Sequence, residues 1–423
     1  MTVAVELGAA RLRRTAGSAQ RLVTRSTLFT SAVIVASVVT LGGASAFAQD
    51  SREAVITAAE ADKAAHPPKE HKNKAEQGVD RISAFLTPKP RGPYPYFGSV
   101  YPGGGFTLGA GYVWAVGDQA SVAVQGLYTI RNYKLVETVW LSPGNLDGRL
   151  HFTEKTGWRN ATEAPYYGLG MQTTPADRTE FNLKEGYAES SAQLFFTHWT
   201  VAAGAVAFET YTIGRGQGES HPPSPVDVFT PETAPGLGAN PTYLHTQGTA
   251  AIDWRTSPGY SRTGGYYGVT LHNYRDTSGP FDFNRLDGEV IQHIPILRET
   301  WVISLRGRVQ TTLGGSNTPF FLLPSLGSGT TLRAYRSLRY RDKNSLLTQA
   351  EFRWVPSRVG MDMAFFFDAG KVTSRRADLD LTGLAHDWGF GVRLHGPTIT
   401  PLRIEMAHGS EGWKFVFGGS PVF

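Results

Sequence analysis

The sequence predicts an all-β protein, a single 16-stranded antiparallel β-barrel that spans a membrane. Three observations support this fold class. They are an export signal at the N-terminus, a long succession of strands in which apolar and polar side chains alternate, and the lack of helical patterns between those strands. A membrane barrel faces hydrocarbon outside and a polar interior inside, so its strands must alternate in this way.

The N-terminus has the order of a signal peptide. Five arginines lie between Arg11 and Arg25, an apolar run of about 14 residues follows at 28–41, and Ala46-Phe47-Ala48 ends the segment. We therefore predict a signal peptide over residues 1–48. The apolar run is shorter than the roughly 20 residues of a spanning helix. Because these arginines account for most of the net charge of +5, the exported chain is nearly neutral and no nucleic-acid partner is predicted.

The composition excludes several kinds of site. The chain contains no cysteine, so disulfides, thiolate metal sites and a cysteine nucleophile are all excluded. Its 11 histidines show no His-x-x-x-His spacing, and the Gly-x-Ser-x-Gly nucleophile motif does not occur. Glycine-rich stretches at 103–109 and 391–396 do not lie between a strand and a helix, so they indicate curved strands rather than phosphate loops. No metal and no cofactor is predicted.

The segment that follows the export signal differs from the rest of the chain. Residues 49–97 are rich in Ala, Lys, Glu and Pro and show little apolar patterning. We predict a flexible periplasmic segment there, with a short helix near 53–65. Regular alternation begins after this segment, and residues 98–423 are predicted to form the barrel.

One parity of each predicted strand is apolar while the other carries charge. Met363, Phe365 and Phe367, for example, alternate with Asp362 and Asp368. The strands run about 10 residues, whereas strands of a soluble β-sandwich, the alternative fold, usually have 5 to 6. Tryptophans near the ends of the apolar faces are typical of the aromatic girdles of membrane barrels. They are Trp301, Trp354, Trp388 and Trp413.

Strand positions follow from the alternation and from the turn residues between the runs. We predict strands near 104–114, 119–130, 133–141, 149–158, 165–173, 179–196, 200–213, 246–256, 264–275, 282–294, 299–312, 345–355, 360–369, 386–395, 400–408 and 412–420. If the N-terminus is periplasmic, the long connections 214–245, 313–344 and 370–385 all face outward, and the short ones 295–298, 356–359 and 396–399 face inward. This asymmetry is typical of outer-membrane barrels.

Four short motifs resemble the BamA/TamA-like bacterial surface antigen superfamily of outer-membrane barrels. The stretch 253–265 contains Asp253, Arg255 and Gly264 and is similar to a signature that joins two strands in that family. Leu332-Arg333-Ala334-Tyr335 is similar to the Val-Arg-Gly-Phe/Tyr lid motif, and Phe365 to Gly370 to a Phe-x-Asp-x-Gly strand. Glu351 lies where the preceding strand carries an acidic residue. The resemblance covers about residues 98–423.

The resemblance implies a lid loop that folds back into the lumen. Arg333 would then seek a carboxylate in a confined interior, and Asp368 and Glu351 both point inward by parity. The alternative is that Arg333 is a solvated loop residue, like its neighbours at 336, 339 and 341. Ala334 replaces the family's glycine and would resist a backbone with positive φ.

Two further expectations concern the ends of the chain. In this family the barrel usually follows periplasmic POTRA domains of roughly 75 residues. Only about 45 mostly polar residues separate the predicted cleavage site from the barrel, so a short member without such domains is expected. At the other end, Phe423 resembles the terminal aromatic residue, on the lipid-facing parity, by which the outer-membrane assembly machinery recognises its clients.

Three functions are compatible with the sequence of a protein that is predicted to lie in the bacterial outer membrane. The resemblance favours a non-enzymatic barrel that inserts, translocates or organises other outer-membrane material. Its partners would be outer-membrane lipid and lipopolysaccharide, the assembly machinery during biogenesis, and a protein cargo. A mixed-charge lumen also fits a passive pore for small polar solutes. An outer-membrane hydrolase would need a rim pair such as His386-Asp387, but neighbouring residues in a strand point to opposite faces.

Overall fold

A computed structural model describes residues 91–96, 98–117, 120–218, 222–297, 299–313, 318–356, 360–396, 398–419 and 421–423. All of them belong to one compact unit within residues 74–423. The predicted signal peptide and the predicted flexible segment up to residue 90 lie outside the described residues. Within the described ranges, no helix is both long and apolar enough to cross a membrane.

Sixteen strands form the wall, and two short strands lie inside a connection. The first half of the wall comprises β1 (Gly92–Pro95), β2 (Thr107–Val116), β3 (Ala120–Thr129), β4 (Lys134–Leu141), β5 (Leu150–Tyr166), β6 (Thr179–Phe195), β7 (Thr200–Arg215) and β8 (Thr242–Asp253). The second half comprises β9 (Gly264–Asp276), β10 (Phe283–Ile296), β11 (Trp301–Leu313), β14 (Asn344–Trp354), β15 (Met361–Thr373), β16 (Ala385–Leu394), β17 (Leu402–Gly409) and β18 (Gly412–Gly418).

The remaining elements lie in the long connections at one end of the wall. These elements are β12 (Ser325–Leu326), β13 (Tyr340–Arg341), the one-turn helix α1 (Pro225–Val228), and 3-10 turns at Pro175–Asp177, Phe320–Leu322 and Arg376–Asp378. We call this end, which also carries the connections 167–178, 216–241 and 314–343, the loop end. The opposite end is the turn end.

The strands pair antiparallel in chain order, with β11 next to β14, and form one 16-stranded sheet. The sheet is wrapped into a barrel, because connections far apart in strand order meet across its interior. Arg339, between β11 and β14, donates from Nη1 to Oγ1 of Thr173, between β5 and β6, at 2.7 Å. The same guanidinium donates from Nε to Glu411, between β17 and β18, at 2.5 Å.

The strand count of sixteen is confirmed, but the first half of the wall differs from the prediction. The strand expected at 165–173 is absent. The chain there forms a connection in which Gly168 and Gly170 have φ of 96° and 85°, a backbone that does not continue a strand. The sixteenth strand is instead β1, inside the segment expected to be flexible. The two errors cancel in the count, but the four strands between residues 107 and 166 run opposite to the predicted direction.

The predicted division of faces is confirmed along the second half of the wall. On β15, Phe365 and Phe367 are 55% and 48% exposed on the outside, whereas Asp362 and Asp368 are fully buried inside. The four tryptophans of the predicted girdles are all exposed on the outer face. The apolar parity therefore faces lipid, and the charged parity faces the lumen.

The loop end of the lumen is filled by an apolar cluster rather than by water-facing charge. Phe320, from the connection after β11, packs against Tyr166 and Phe181 of the wall, with ring centroids 4.7 and 4.9 Å apart. Phe321 packs against Tyr211 at 5.3 Å. Residues from the connection 216–241 complete the cluster. This aromatic core therefore occupies part of the lumen on this side of the barrel.

The division of faces is testable with two adjacent residues of β9. Leu271 is exposed to lipid near the middle of the strand, and Thr270 faces the lumen opposite Asp287. Leu271→Lys is expected to cost about 2–4 kcal/mol of folding free energy, because a cation is placed in hydrocarbon. Thr270→Lys should be mild, because Asp287 is in reach. Equal losses of heat-resistant, fast-migrating barrel on unboiled gels would contradict the face assignment.

Candidate functional site

The connection from residue 318 to 343 folds into the lumen and is called the lid. Its two short strands, β12 and β13, pair with each other and give the lid a hairpin-like base. Gly327 permits the tight return of the chain: its φ is 101°, and a Cβ there would lie 2.3 Å from the Arg336 carbonyl oxygen. Apolar side chains of the lid, Leu332 and Tyr335 among them, pack on Leu347 and Val372 of the wall.

Arg333 lies near the middle of the lid sequence and contacts the wall strands β14, β15 and β17. Its guanidinium holds Asp368 through two hydrogen bonds, from Nε and from Nη2, each 2.7 Å long. Nη1 lies 3.3 Å from Glu351 and 3.4 Å from Glu405. The guanidinium also covers the Phe366 ring at 3.4 Å from its centroid. The side chain is fully buried, so the alternative of a solvated loop arginine does not describe this residue.

A second layer of charge surrounds these contacts. Arg393 forms a bidentate pair with Glu351, at 2.5 and 2.6 Å, and donates to Glu405 at 2.7 Å. Arg403 also contacts Glu405 and donates to the lid at the Gly329 carbonyl oxygen, 3.0 Å away. Buried ions are tolerated only when they are paired in this way. Sequence reasoning assigned Glu351 and Asp368 but missed Glu405, although its inward parity on β17 could have identified it.

Ala334 and Tyr335, the two residues after Arg333, attach the lid to β16 through hydrogen bonds that each join a backbone group to a side chain. The Ala334 amide donates to Asp387 at 3.1 Å, and the Tyr335 hydroxyl donates to the His386 carbonyl oxygen at 3.2 Å. Ala334 does not have positive φ, so the expected resistance to its Cβ does not arise. The lid approaches β17 closely at this point, because a Cβ added to Gly409 would lie 3.1 Å from the Cβ of Ala334.

The other lid arginines do not share one environment, which corrects the grouping made from sequence. Arg339 is buried between Glu411 and Thr173, and Arg341 is buried and donates to the Phe320 carbonyl oxygen at 2.8 Å. Only Arg336 of the three is solvated, with 53% of its side chain exposed. Which loop arginines become buried depends on how the lid crosses the lumen, and a local charge run does not reveal that path.

The family-like signature at 253–264 begins the connection between β8 and β9. Asp253 accepts two hydrogen bonds from the Arg255 guanidinium, at 3.0 and 2.9 Å. Gly264 has a φ of 94°, and a Cβ there would lie 2.3 Å from the Trp254 carbonyl oxygen. Gly370, on β15, allows the lid to approach the wall, because a Cβ would lie 2.9 Å from Leu326.

Residues 254–263, which we call the strap, run beneath the lumen at the turn end to strands on the other side. The Tyr260 hydroxyl donates to Asp362 of β15 at 3.1 Å, and the Tyr260 ring stacks on His395 at 4.0 Å. The Thr400 hydroxyl donates to the Gly259 carbonyl oxygen at 3.1 Å. Burial lowers the pKa of His395 to about 4, which keeps the stacked ring neutral. The sequence identified this connection as similar to a family signature, but it did not predict that the connection contacts strands on the other side of the lumen.

The C-terminus departs from the prediction. Phe423 does not continue β18 on the lipid-facing parity, because the wall strand ends at Gly418. The last residues turn into the barrel, where the Phe423 ring stacks near His293 of β10 with centroids 6.3 Å apart, and the Val422 carbonyl oxygen accepts from Arg306 at 3.4 Å. The two glycines at 418 and 419 provide the flexibility for this change of direction.

Within the described part of the chain, two side-chain pairs are of the kind that hydrolases use: His386 with Asp387, and His293 with Ser304. His386 faces outward and Asp387 inward, as the strand period predicts. His293 is hydrogen-bonded to Ser304 at 2.8 Å, but Arg353 also donates to that hydroxyl, and both residues are buried. Among the described residues, no three His, Asp or Glu side chains are grouped to hold a metal ion.

Comparisons with known proteins agree with this architecture. Residues 240–420 match the Omp85 superfamily domain. The BamA structure from Haemophilus ducreyi lacking POTRA domains 1-3 is similar, with a TM-score of 0.55 and 14% identity over 78% of this chain and 68% of that one. At this identity the likeness concerns the fold alone.

Two CdiB structures also match. The one from Escherichia coli has a TM-score of 0.48 and 11% identity, over 79% of this chain and 60% of that one. The one from Acinetobacter baumannii has a TM-score of 0.45 and 10% identity, over 74% and 56%. This chain therefore spans less than two thirds of either CdiB chain. No curated protein matches the sequence.

The buried position of Arg333 leads to a stability prediction. Arg333→Ala leaves the buried Asp368 without its guanidinium partner and is expected to cost about 3–5 kcal/mol of folding free energy. Arg336→Ala is the matched control and should change stability by under about 1 kcal/mol, because that residue is solvated. Thermal unfolding of the purified barrel in detergent measures both.

A double-mutant cycle separates the pair from general damage to the lid. Combining Arg333→Ala with Asp368→Ala should cost less than the sum of the single changes, with a coupling of about 1–3 kcal/mol. Strictly additive losses, together with unchanged protease cleavage of the lid in all variants, would show that the contact does not hold the lid.

Proposed function

Residues 240–420 of this outer-membrane β-barrel match the Omp85 superfamily domain, and from this premise we propose that the protein assists the assembly or translocation of other outer-membrane proteins. The observation that carries the proposal is the lid held inside the lumen by Arg333. A loop fixed by one buried guanidinium among Asp368, Glu351 and Glu405 is a discrete element that can be held or released as a unit. A barrel that only anchored itself in lipid would not require it.

The lumen contents argue against free diffusion. The aromatic cluster around Phe320 occupies the loop end, the lid crosses the middle, and the strap and Phe423 lie toward the turn end. Material that passes this barrel must displace these segments or use the junction between β1 and β18. Among the described residues no backbone ladder joins those two strands. Both routes fit the passage of a protein client better than the free diffusion of small solutes.

The proposed partners follow from the same surfaces. The exposed apolar belt contacts outer-membrane lipid and lipopolysaccharide, and the outer-membrane assembly machinery would insert this barrel in its turn. The client would be an extended polypeptide that becomes another barrel. We further propose that the protein acts without catalysis, because the lumen polar groups are engaged in structural pairs.

Reconstitution tests the function directly. Purified protein in lipid vesicles is expected to speed the folding of an eight-stranded outer-membrane barrel that is diluted from urea, relative to empty vesicles. The folded fraction is read as fast-migrating protein on unboiled gels. Arg333→Ala should reduce the acceleration and Arg336→Ala should not. No acceleration by the wild-type protein would contradict the proposal.

Electrical recording distinguishes the pore alternative. In planar bilayers the wild-type barrel is expected to show small and intermittent conductance, because the lid and the aromatic cluster obstruct the lumen. Arg333→Ala should raise the open fraction by loosening the lid, and Arg336→Ala again serves as the control. A large and steady conductance of the wild-type protein would favour a passive pore.

A further inference from the structure

One hydrogen-bonded row of the wall places polar side chains on the lipid-facing side, close to the loop end. The antiparallel registers of β3 to β7 align the members of this row directly opposite one another. They are Tyr128, Lys134, Asn160, Lys184 and Thr212. Residues that are directly opposed in a sheet project to the same face. Tyr128, Lys184 and Thr212 are exposed on the outside, so the whole row faces outward.

The row lies at the depth of the lipid headgroups. Trp158, two residues closer to the turn end than Asn160 on β5, is 41% exposed on the same face, and Tyr128 is 55% exposed within the row. Exposed aromatic side chains of a membrane barrel mark the boundary between lipid tails and water. Lys134 and Lys184 are therefore placed where their ammonium groups reach the headgroup region.

The two lysines carry charge that the described part of the chain does not neutralise. Neither Lys134 nor Lys184 forms an ion pair with another described residue. By contrast, the exposed Arg275 on the outer face of β9 pairs with Asp282 at 3.1 Å. Unpaired cations at the surface of a membrane attract the phosphate groups of lipids.

A buried amide lies between the two lysines. Asn160 is 8% exposed, and its side-chain oxygen accepts a hydrogen bond from the Asn182 amide at 2.9 Å. The amide N–H groups of Asn160 itself have no partner among the described residues, so they can donate to a ligand. An amide donor between two ammonium groups suits an anion with several acceptor oxygens, and phosphate is such an anion.

The spacing of the lysines suits two phosphates better than one. Neighbouring strands are about 4.8 Å apart, so positions 134 and 184, with 160 between them, are separated by about 10 Å. The acidic residues of this face lie elsewhere. Glu154 is toward the turn end, and Glu163 and Glu180 are toward the loop end. The row is therefore a local region of positive charge that a headgroup with two separated phosphates can bridge.

Below Lys184, β6 presents small side chains to the lipid. Gly186 and Ala188 follow on the outward parity. Trp158 is directly opposed to Gly186, and Phe208 of β7 is directly opposed to Ala188. Both aromatic side chains are exposed, so they flank a shallow apolar groove that begins at the lysines and runs toward the hydrocarbon. An acyl chain attached to a headgroup at the lysines fits this groove.

We propose that Lys134, Asn160 and Lys184 form a binding site for the lipid A part of lipopolysaccharide, a glycolipid with two phosphates on its headgroup. The lysines bind the phosphates, the Asn160 amide donates to the headgroup, and one acyl chain lies over Gly186. The inference rests on the lipid contact of the proposed function and specifies where that contact lies. It does not depend on the protein client.

Titration of the purified barrel in detergent with lipid A, followed by native mass spectrometry, tests the site. Lys134→Gln with Lys184→Gln is expected to weaken binding about tenfold, because two charge pairs are lost. Arg275→Gln with Arg375→Gln is the matched control, since it removes the same charge from exposed positions of the loop end. Its affinity should stay within about twofold of the wild type. Fast migration on unboiled gels confirms that each variant is folded.

Two further measurements identify the ligand. Lipid A that has lost one phosphate should bind about threefold more weakly than the intact lipid, because one charge pair is lost. Gly186→Leu should also weaken the binding of lipid A, because it fills the groove without changing charge. Inorganic phosphate should not displace lipid A at equal concentration, because it has no acyl chain. Equal losses in the two double variants, or displacement by inorganic phosphate, would overturn the inference.

The client-folding assay separates this inference from the proposed function. Unchanged lipid A binding in the lysine variant, together with accelerated client folding by the wild type, would overturn the lipid site alone. Lipid A binding that depends on the lysines, without any acceleration of client folding, would support the lipid site and refute the client role.

Discussion

A wall that faces hydrocarbon on the outside must have its inward polar groups satisfied from within, and the interior of this protein follows from that constraint. Each wall strand directs every second side chain to the lumen, and many of these side chains are polar or charged. A barrel of sixteen strands is too wide for wall side chains alone to fill. Three segments of the chain enter the lumen and pair with the inward groups: the lid in the middle, and the strap and the C-terminal residues toward the turn end.

Arg333 holds the most demanding position among these contacts. It neutralises Asp368 and lies between Glu351 and Glu405, while Arg393 and Arg403 compensate the remaining carboxylate charge. A guanidinium suits this place because it stays charged and offers donors in several directions at once. The same burial makes the contact costly to break, because removal of one partner would leave an uncompensated buried charge.

The fold and the proposed function meet at the junction between the first and last strands. A closed ladder there would make the barrel a fixed cylinder, and a fully open one would expose backbone groups to lipid. Pro93 and Pro95 remove two N–H donors from β1, while its antiparallel pairing with β2 is retained.

The sequence by itself determined the barrel class and the face of each strand in the second half of the wall, whereas the predicted count of sixteen agreed because one missed strand and one false strand cancelled. These properties depend on a period of two and on turn residues, which are local. Parity was also enough to name Glu351 and Asp368 as inward carboxylates. Sequence reasoning did not identify β1, because its prolines indicate a flexible segment. An edge strand nevertheless accepts proline at positions where no N–H donor is required.

Only the tertiary structure decided which distant segments meet inside the barrel. Arg336, Arg339 and Arg341 look alike along the chain, yet one is solvated and two are buried, because the path of the lid past Glu411 and Thr173 separates them. The inward turn of Phe423 and the path of the strap across the lumen likewise depend on contacts between segments that are distant in sequence. Such contacts depend on the diameter of the barrel and on the groups left unpaired across it, and neither is visible in any local stretch of sequence.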